Sequence, residues 1–193
     1  GEIRDSETAN LATHAALTGH IVLSTLHTND AIGVVPRLID MGVQDFLIPS
    51  SLNLSIAQRL LRRLCSDCKK AMEAPPKIKA IIQKEIDQFS EEMKSDLKDL
   101  DLKNIKIWQA PGCEYCVKKG TKGRVAIFEA LAMTTELEKI IVDGPTESKI
   151  REEAKRQNMV SLRQDGIVKV LRGLISFQEF IEAVEGEQKE EEK

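Results

Sequence analysis

Four cysteines constrain this chain more than any other feature: Cys65, Cys68, Cys113 and Cys116 form two Cys-x-x-Cys pairs, with none left over. Two residues between ligands let one turn aim both sulfurs at a single metal ion, and turn amides stabilise the thiolates. Two such knuckles complete a closed tetrahedral site with no position for water. Both pairs sit among loop formers: Ser66-Asp67 inside the first, Pro111-Gly112 before the second and Gly120 after it. Three other chemistries compete. Disulfides suit oxidising compartments, a thioredoxin-like redox pair needs only one Cys-x-x-Cys at a helix start, and iron–sulfur clusters also take four cysteines. Structural Zn2+ is preferred, because closed four-thiolate sites of this spacing are its usual home. The 44 residues between the pairs exceed the gap of a compact zinc ribbon, so the metal is expected to staple the ends of an inserted segment rather than to catalyse.

The rest of the composition narrows the class. A chain of 193 residues can bury one substantial core or two small ones. With 41% hydrophobic and 31% charged residues it reads as a soluble globular protein. No apolar run approaches the roughly 20 residues that span a bilayer, and the charged start Gly1-Glu2-Ile3-Arg4-Asp5 is no signal peptide. A cytoplasmic location follows as the expectation. A net charge of -3, one Trp and one Tyr argue against nucleic acid, despite the basic cluster Arg59, Arg62 and Arg63. The end, 185–193, is almost entirely charged and reads as a solvated, disordered tail.

Local signals give an α/β pattern at first. Asp5 or Ser6 caps a helix through Ala9, Ala12 and Ala16 that stops at Gly19. His20–Thr25 reads as a short buried strand, and Leu26–Asp30 as a polar loop ending in N-cap residues. A helix should run from about Ala31 to Met41, with Pro36 making its first half irregular. Pro49-Ser50-Ser51 is expected to open another helix bearing Leu52, Ile56, Leu60, Leu61 and Leu64. One strand cannot make a sheet, so either its partners lie in sequence beyond this chain, which is the expectation, or the fold is unusual.

After Cys68 the pattern changes. Ile78, Ile81, Ile82, Ile86, Phe89, Met93, Leu97 and Leu100 recur at gaps of three and four, which is the stripe of a helix or helical hairpin. Ile105–Trp108 alternates like an edge strand, and Val125–Leu131 is a second strand candidate. Thr135-x-x-Glu138, Ser161-x-x-Gln164 and Ser176-x-x-Glu179 read as capping boxes. They predict a C-terminal bundle of about four short helices.

The N-terminal polar residues gain meaning together. Gly1-Glu2-Ile3-Arg4-Asp5-Ser6-Glu7-Thr8-Ala9 resembles the Walker B region of the secretion and pilus motor ATPases, the type II secretion and type IV pilus assembly group. Thr18–Ala31, with His20 and His27, resembles that family's histidine box. Arg37–Val43, Gln58–Cys65, the tetracysteine set, Gly120-x-x-Gly123-Arg124 and Leu162-Arg163-x-Asp165-Gly166 continue the resemblance in the same order over nearly the whole chain.

The resemblance implies a role for each matching residue. Glu2 stands at the Walker B acidic position, orienting the attacking water and helping to organise Mg2+. Arg4 would contact nucleotide or a neighbouring subunit. His20 and His27 would lie near the γ-phosphate and an interdomain contact. The implied fold is part of a RecA-like domain over 1–64, a zinc-binding insert over 65–133 and a helical bundle over 134–184, predominantly α in sum. The implied partners are a homo-hexamer, ATP and an inner-membrane platform protein, with peripheral attachment and no membrane span. One departure matters: no Gly-x-x-x-x-Gly-Lys-Ser/Thr occurs, and Gly120-Thr121-Lys122-Gly123 is not one. The expectation is therefore a C-terminal piece that does not hydrolyse ATP alone. The rival expectations are a non-catalytic zinc docking module and, more weakly, a nucleic-acid-binding zinc ribbon.

Overall fold

The computed structural model describes residues 1–185. They divide into two compact units, Gly1–Ala57 with Glu129–Met159, and Gln58–Phe128 with Val160 onward.

The first unit opens on β1 (Glu2–Ile3), α1 (Ser6–Leu17) and β2 (Thr25–Leu26). β1 and β2 are parallel, with Glu2 opposite Thr25 and Ile3 opposite Leu26, so α1 is the crossover of a β–α–β unit. Asp5 caps α1 by accepting the Thr8 amide at 2.8 Å, which pulls its carboxyl below the usual range. α2 (Val34–Asp40) follows a loop. Pro36 occupies its third position, where the missing N–H has no helical partner in any case. A 3-10 turn (Asp45–Leu47) and the four-residue α3 (Ile48–Ser51) lead into β3 (Leu54–Leu64). β3 pairs with β6 (Thr121–Ala132), each strand lying only partly in this unit, and α6 (Thr135–Val142) and α7 (Glu147–Arg156) complete it.

The second unit holds an antiparallel pair, β4 (Lys70–Glu73) and β5 (Lys106–Gln109), with α4 (Pro76–Ile86) and α5 (Glu91–Asp96) between them in sequence. α8 (Leu162–Leu171) and α9 (Phe177–Glu185) pack with them. The expected helical stripe is real: Ile82, Ile86, Phe89 and Leu97 are buried with Leu61, Ile127, Ile167, Val170 and Phe180. Polar ties fix α4 to α8. Arg163 Nε donates to Glu85 Oε1 at 3.0 Å, and the Gln164 side chain to the Gln88 carbonyl at 3.3 Å. Ser161 and Gln164 form the expected capping box. Every buried side-chain N or O among the described residues has a partner, and no helix among them is long and apolar enough to cross a membrane.

Four local expectations are corrected. The helix from Pro49 through Leu64 is a strand from Leu54 onward, because spacings of four (Ile56, Leu60, Leu64) are common to helical and alternating periods and pairing with β6 decides between them. The His20–Thr25 strand is not buried, and its partner is not in sequence beyond this chain: only Thr25–Leu26 pairs, with Glu2–Ile3, and Ile21 and Leu23 are 92% and 87% exposed. The cap of α6 is Thr134, one residue earlier than expected. The helices after residue 134 are divided between the units, α6 and α7 falling in the first and α8 and α9 in the second. The expected tail, 185–193, falls outside the described residues apart from Glu185, which ends α9.

Candidate functional site

Because β1 and β2 run parallel, their C-terminal ends face one way, the side on which open α/β sheets bind ligands. Glu2 lies on β1, Arg4 just beyond it, and His27 just beyond β2. The structure brings the three side chains together. Arg4 Nε donates to Glu2 Oε2 at 2.5 Å, and Glu2 Oε1 pairs with His27 Nε2. The Arg4 hydrogen bond leads in holding the Glu2 carboxyl below its ordinary range, with burial opposing and the charges of Arg4 and His27 assisting. The result is an ionised carboxylate within reach of solvent between two groups that can carry positive charge. Such a group can accept a proton or order a water.

His20 is placed elsewhere. It stands just after α1, where its Nδ1 meets Thr18 Oγ1 at 3.0 Å and the Ala15 carbonyl at 3.3 Å.

The loop after β2 is held by Asp30, at the expected capping end of that loop, and by residues that sequence reasoning missed. Thr28 Oγ1 donates to the Asp30 carbonyl at 3.0 Å, and Asp30 Oδ1 accepts the Gly33 amide at 2.8 Å. Arg151 lies 3.5 Å from Asp30. Ala31 is clamped twice: its amide donates to Glu129 Oε1 at 2.7 Å and its carbonyl accepts from Ser55 Oγ at 2.9 Å. The one signal in the sequence is that Glu129 interrupts the apolar alternation of Ile127 and Leu131.

In the second unit the four cysteines converge. Their sulfurs all lie within 4.8 Å of one another, and three of them are buried. The spacings are 3.8 Å for Cys65–Cys113, 3.9 Å for Cys68–Cys116 and 3.7 Å for Cys113–Cys116. A tetrahedral ion with metal–sulfur bonds of about 2.3 Å sets its ligands about 3.8 Å apart. The donor set therefore fits one metal ion, and a multi-iron cluster would hold its ligands farther apart. All four cysteines are free of disulfides.

The knuckle backbone is built for this. Cys113 N–H donates to Cys116 Sγ at 3.1 Å. That bond first, and one from the Gly120 amide, pull the Cys116 thiol down to about 6, whereas burial pushes Cys68 up to about 12. Gly112 and Gly120 adopt φ of +99° and +70°, and a Cβ on Gly112 would lie 2.5 Å from the Lys118 carbonyl oxygen. At Gly120 it would overlap the Ala110 carbonyl. Only glycine meets both demands.

The arms leaving these knuckles grip the end of α8. Leu64 N–H donates to the Leu174 carbonyl at 2.8 Å, Lys69 Nζ to the Gly173 carbonyl at 2.8 Å and Trp108 Nε1 to the Leu171 carbonyl at 3.1 Å. Nearby, Arg62 of the expected basic cluster is engaged by Glu179, with its backbone N–H and its Nε both donating to that carboxylate at 2.8 Å.

Over residues 1–182 the chain matches the family described as Type II/IV secretion system protein. The chain belongs to that family. Among curated members, the type IV pilus assembly ATPase PilB of Thermus thermophilus is 40% identical over 181 residues, which are 94% of this chain and 19% of that protein. The type II secretion system ATPase E of Vibrio cholerae is 42% identical over 179 residues, 93% of this chain and 32% of that protein. The chain thus spans a third or less of these type II/IV secretion system relatives. Two solved structures share its fold. The Legionella pneumophila ATPase DotB has a TM-score of 0.57 at 21% identity, covering 96% of this chain and 37% of its own. The pilus retraction motor PilT with bound ADP has 0.59 at 22%, covering 100% and 40%.

Proposed function

We propose that this chain is the C-terminal portion of a cytoplasmic, hexameric motor ATPase that powers assembly of type IV pili or type II secretion pseudopili. It would act at the inner face of the cytoplasmic membrane, with a platform protein there as its partner. The observation that carries the reading is the Glu2–Arg4–His27 cluster, with Glu2 on β1 and Arg4 and His27 just past the C-terminal ends of two parallel strands. Catalysis of phosphoryl transfer is mostly positioning plus charge stabilisation. In this reading Glu2, held ionised by Arg4, accepts a hydrogen bond from the attacking water, aims it, and helps to organise the water shell of Mg2+. Arg4 supplies positive charge, and His27 a hydrogen-bonding ring, to the phosphates or to a neighbouring subunit. His20, at the start of the same extended segment, serves the interdomain contact. The exposed Ile21 and Leu23 suit a strand of a larger RecA-like sheet.

We assign Zn2+ to the cysteine site. Four thiolates in a closed tetrahedron are its preferred structural environment. Cys65, Cys68, Cys113 and Cys116 hold the ion, which supplies cross-linking and no open coordination position.

The 193 residues contain no Gly-x-x-x-x-Gly-Lys-Ser/Thr loop to cradle phosphates. Incubated with ATP and Mg2+, this chain alone is expected to release no phosphate above background, while a longer product of the same gene that contains such a loop does. Absence of turnover from the longer protein as well would favour a zinc-stabilised docking module.

A further inference from the structure

Glu129 occupies a position where its strand calls for an apolar side chain. The buried residues of β6 alternate as Ile127, Glu129 and Leu131, and Glu129 is only 5% exposed. Burying a carboxylate is costly unless its oxygens are hydrogen-bonded. Here Oε1 accepts the Ala31 amide at 2.7 Å. The other backbone polar group of the same residue, the Ala31 carbonyl, takes the hydroxyl of Ser55, which is likewise buried at a core position on β3. Each of two paired strands thus spends a core position on a polar side chain, and both of these side chains clamp a single loop residue.

That residue is itself fully buried and lies in the second half of the loop that runs from His27 to Gly33. Between them, the bonds from Thr28 to the Asp30 carbonyl and from the Gly33 amide to the Asp30 carboxylate leave the loop little freedom. A loop fixed internally and anchored in that half presents its first residue in a set place.

We infer that Glu129 is a positioning residue: through Ala31 it sets the loop that holds His27 against Glu2. Only the catalytic consequence rests on the ATPase reading; the mechanical claim does not. A packing role would be served as well by leucine.

The test uses the 193-residue chain and nuclear magnetic resonance, with no nucleotide present. A Glu2→Gln variant first shows which His27 ring signals report contact with Glu2. Glu129→Leu is then expected to speed exchange of the Ala31 amide by about one to two orders of magnitude, the loss of a hydrogen bond to a charged acceptor. It should also move the His27 signals toward their Glu2→Gln positions. Glu129→Gln, which keeps an acceptor, should leave both near the parent. If His27 stays at its parental position in Glu129→Leu, with Ala31 exchange faster or unchanged, the inference is overturned. Should the leucine variant fail to fold, Glu129→Asp, one methylene too short, must shift both signals in the same direction, and no shift there overturns the inference equally. The readouts involve no hydrolysis, so failure here and failure of the ATPase reading are distinct results.

Discussion

Buried carboxylates decide how single residues answer to acid. Glu153, 4% exposed, accepts from Arg156 Nε at 2.6 Å, from Thr134 Oγ1 at 2.8 Å and from Gln157 Nε2 at 3.0 Å. The Arg156 bond leads in holding its carboxyl down to about 2, against an ordinary value of 4.5, while burial opposes. Because the folded value is the lower one, the unfolded chain takes up the proton first as pH falls. The stabilisation is therefore complete above about pH 5 and drains away toward pH 2. Thermal unfolding should show a steeper loss of stability between pH 6 and 3 in the parent than in Glu153→Gln. At pH 7 that variant should lose on the order of 2 kcal/mol. Equal slopes would exonerate Glu153. Residues of this kind were hard to read in advance. The cysteines were legible because each knuckle is four residues long, whereas Glu129 meets Ala31 across 98 positions and no local pattern announces that meeting.

Elements were legible where their signals are local. Asp5 at α1, Ser161 with Gln164 at α8 and the Ile82–Ile86 stripe of α4 all sit where caps and periodicity put them. β3 was misread because its apolar gaps of four satisfy two periods at once, and its partner β6 begins 57 residues after it ends. The cysteine knuckles join elements in the same long-range way. Their arms place Lys69 and Trp108 on the turn after α8, with Lys69 Nζ 5.0 Å from the centroid of the indole ring. Trp108 is the single tryptophan of the chain, so its emission reports this grip. Purified protein should carry about one zinc per chain, as a closed site requires. Cys113→Ser should carry almost none, and its Trp108 emission should shift red as the turn loosens. Iron in place of zinc would refute the assignment of the metal, and unchanged emission after complete loss of metal would refute the staple.

At the scale of the whole molecule, the chain passes from one compact unit to the other within β3, within β6 and after Met159. Segments taken in sequence order could not anticipate that interleaving, since the boundaries are set by pairing between strands far apart in the chain. The family was legible all the same, because Glu2, His27 and the cysteine pairs stand in one colinear order that outlasts any error about the elements between them. In the proposed reading, what joins the residue scale to a motor is the Glu2 carboxylate on β1. The decisive measurement is steady-state ATP hydrolysis by the longer gene product, parent against Glu2→Gln, with nucleotide affinity measured alongside. The account predicts that turnover falls on the order of 10²- to 10³-fold while affinity for ATP stays within a few fold, the signature of a lost water-orienting base. Turnover unchanged in Glu2→Gln would contradict it.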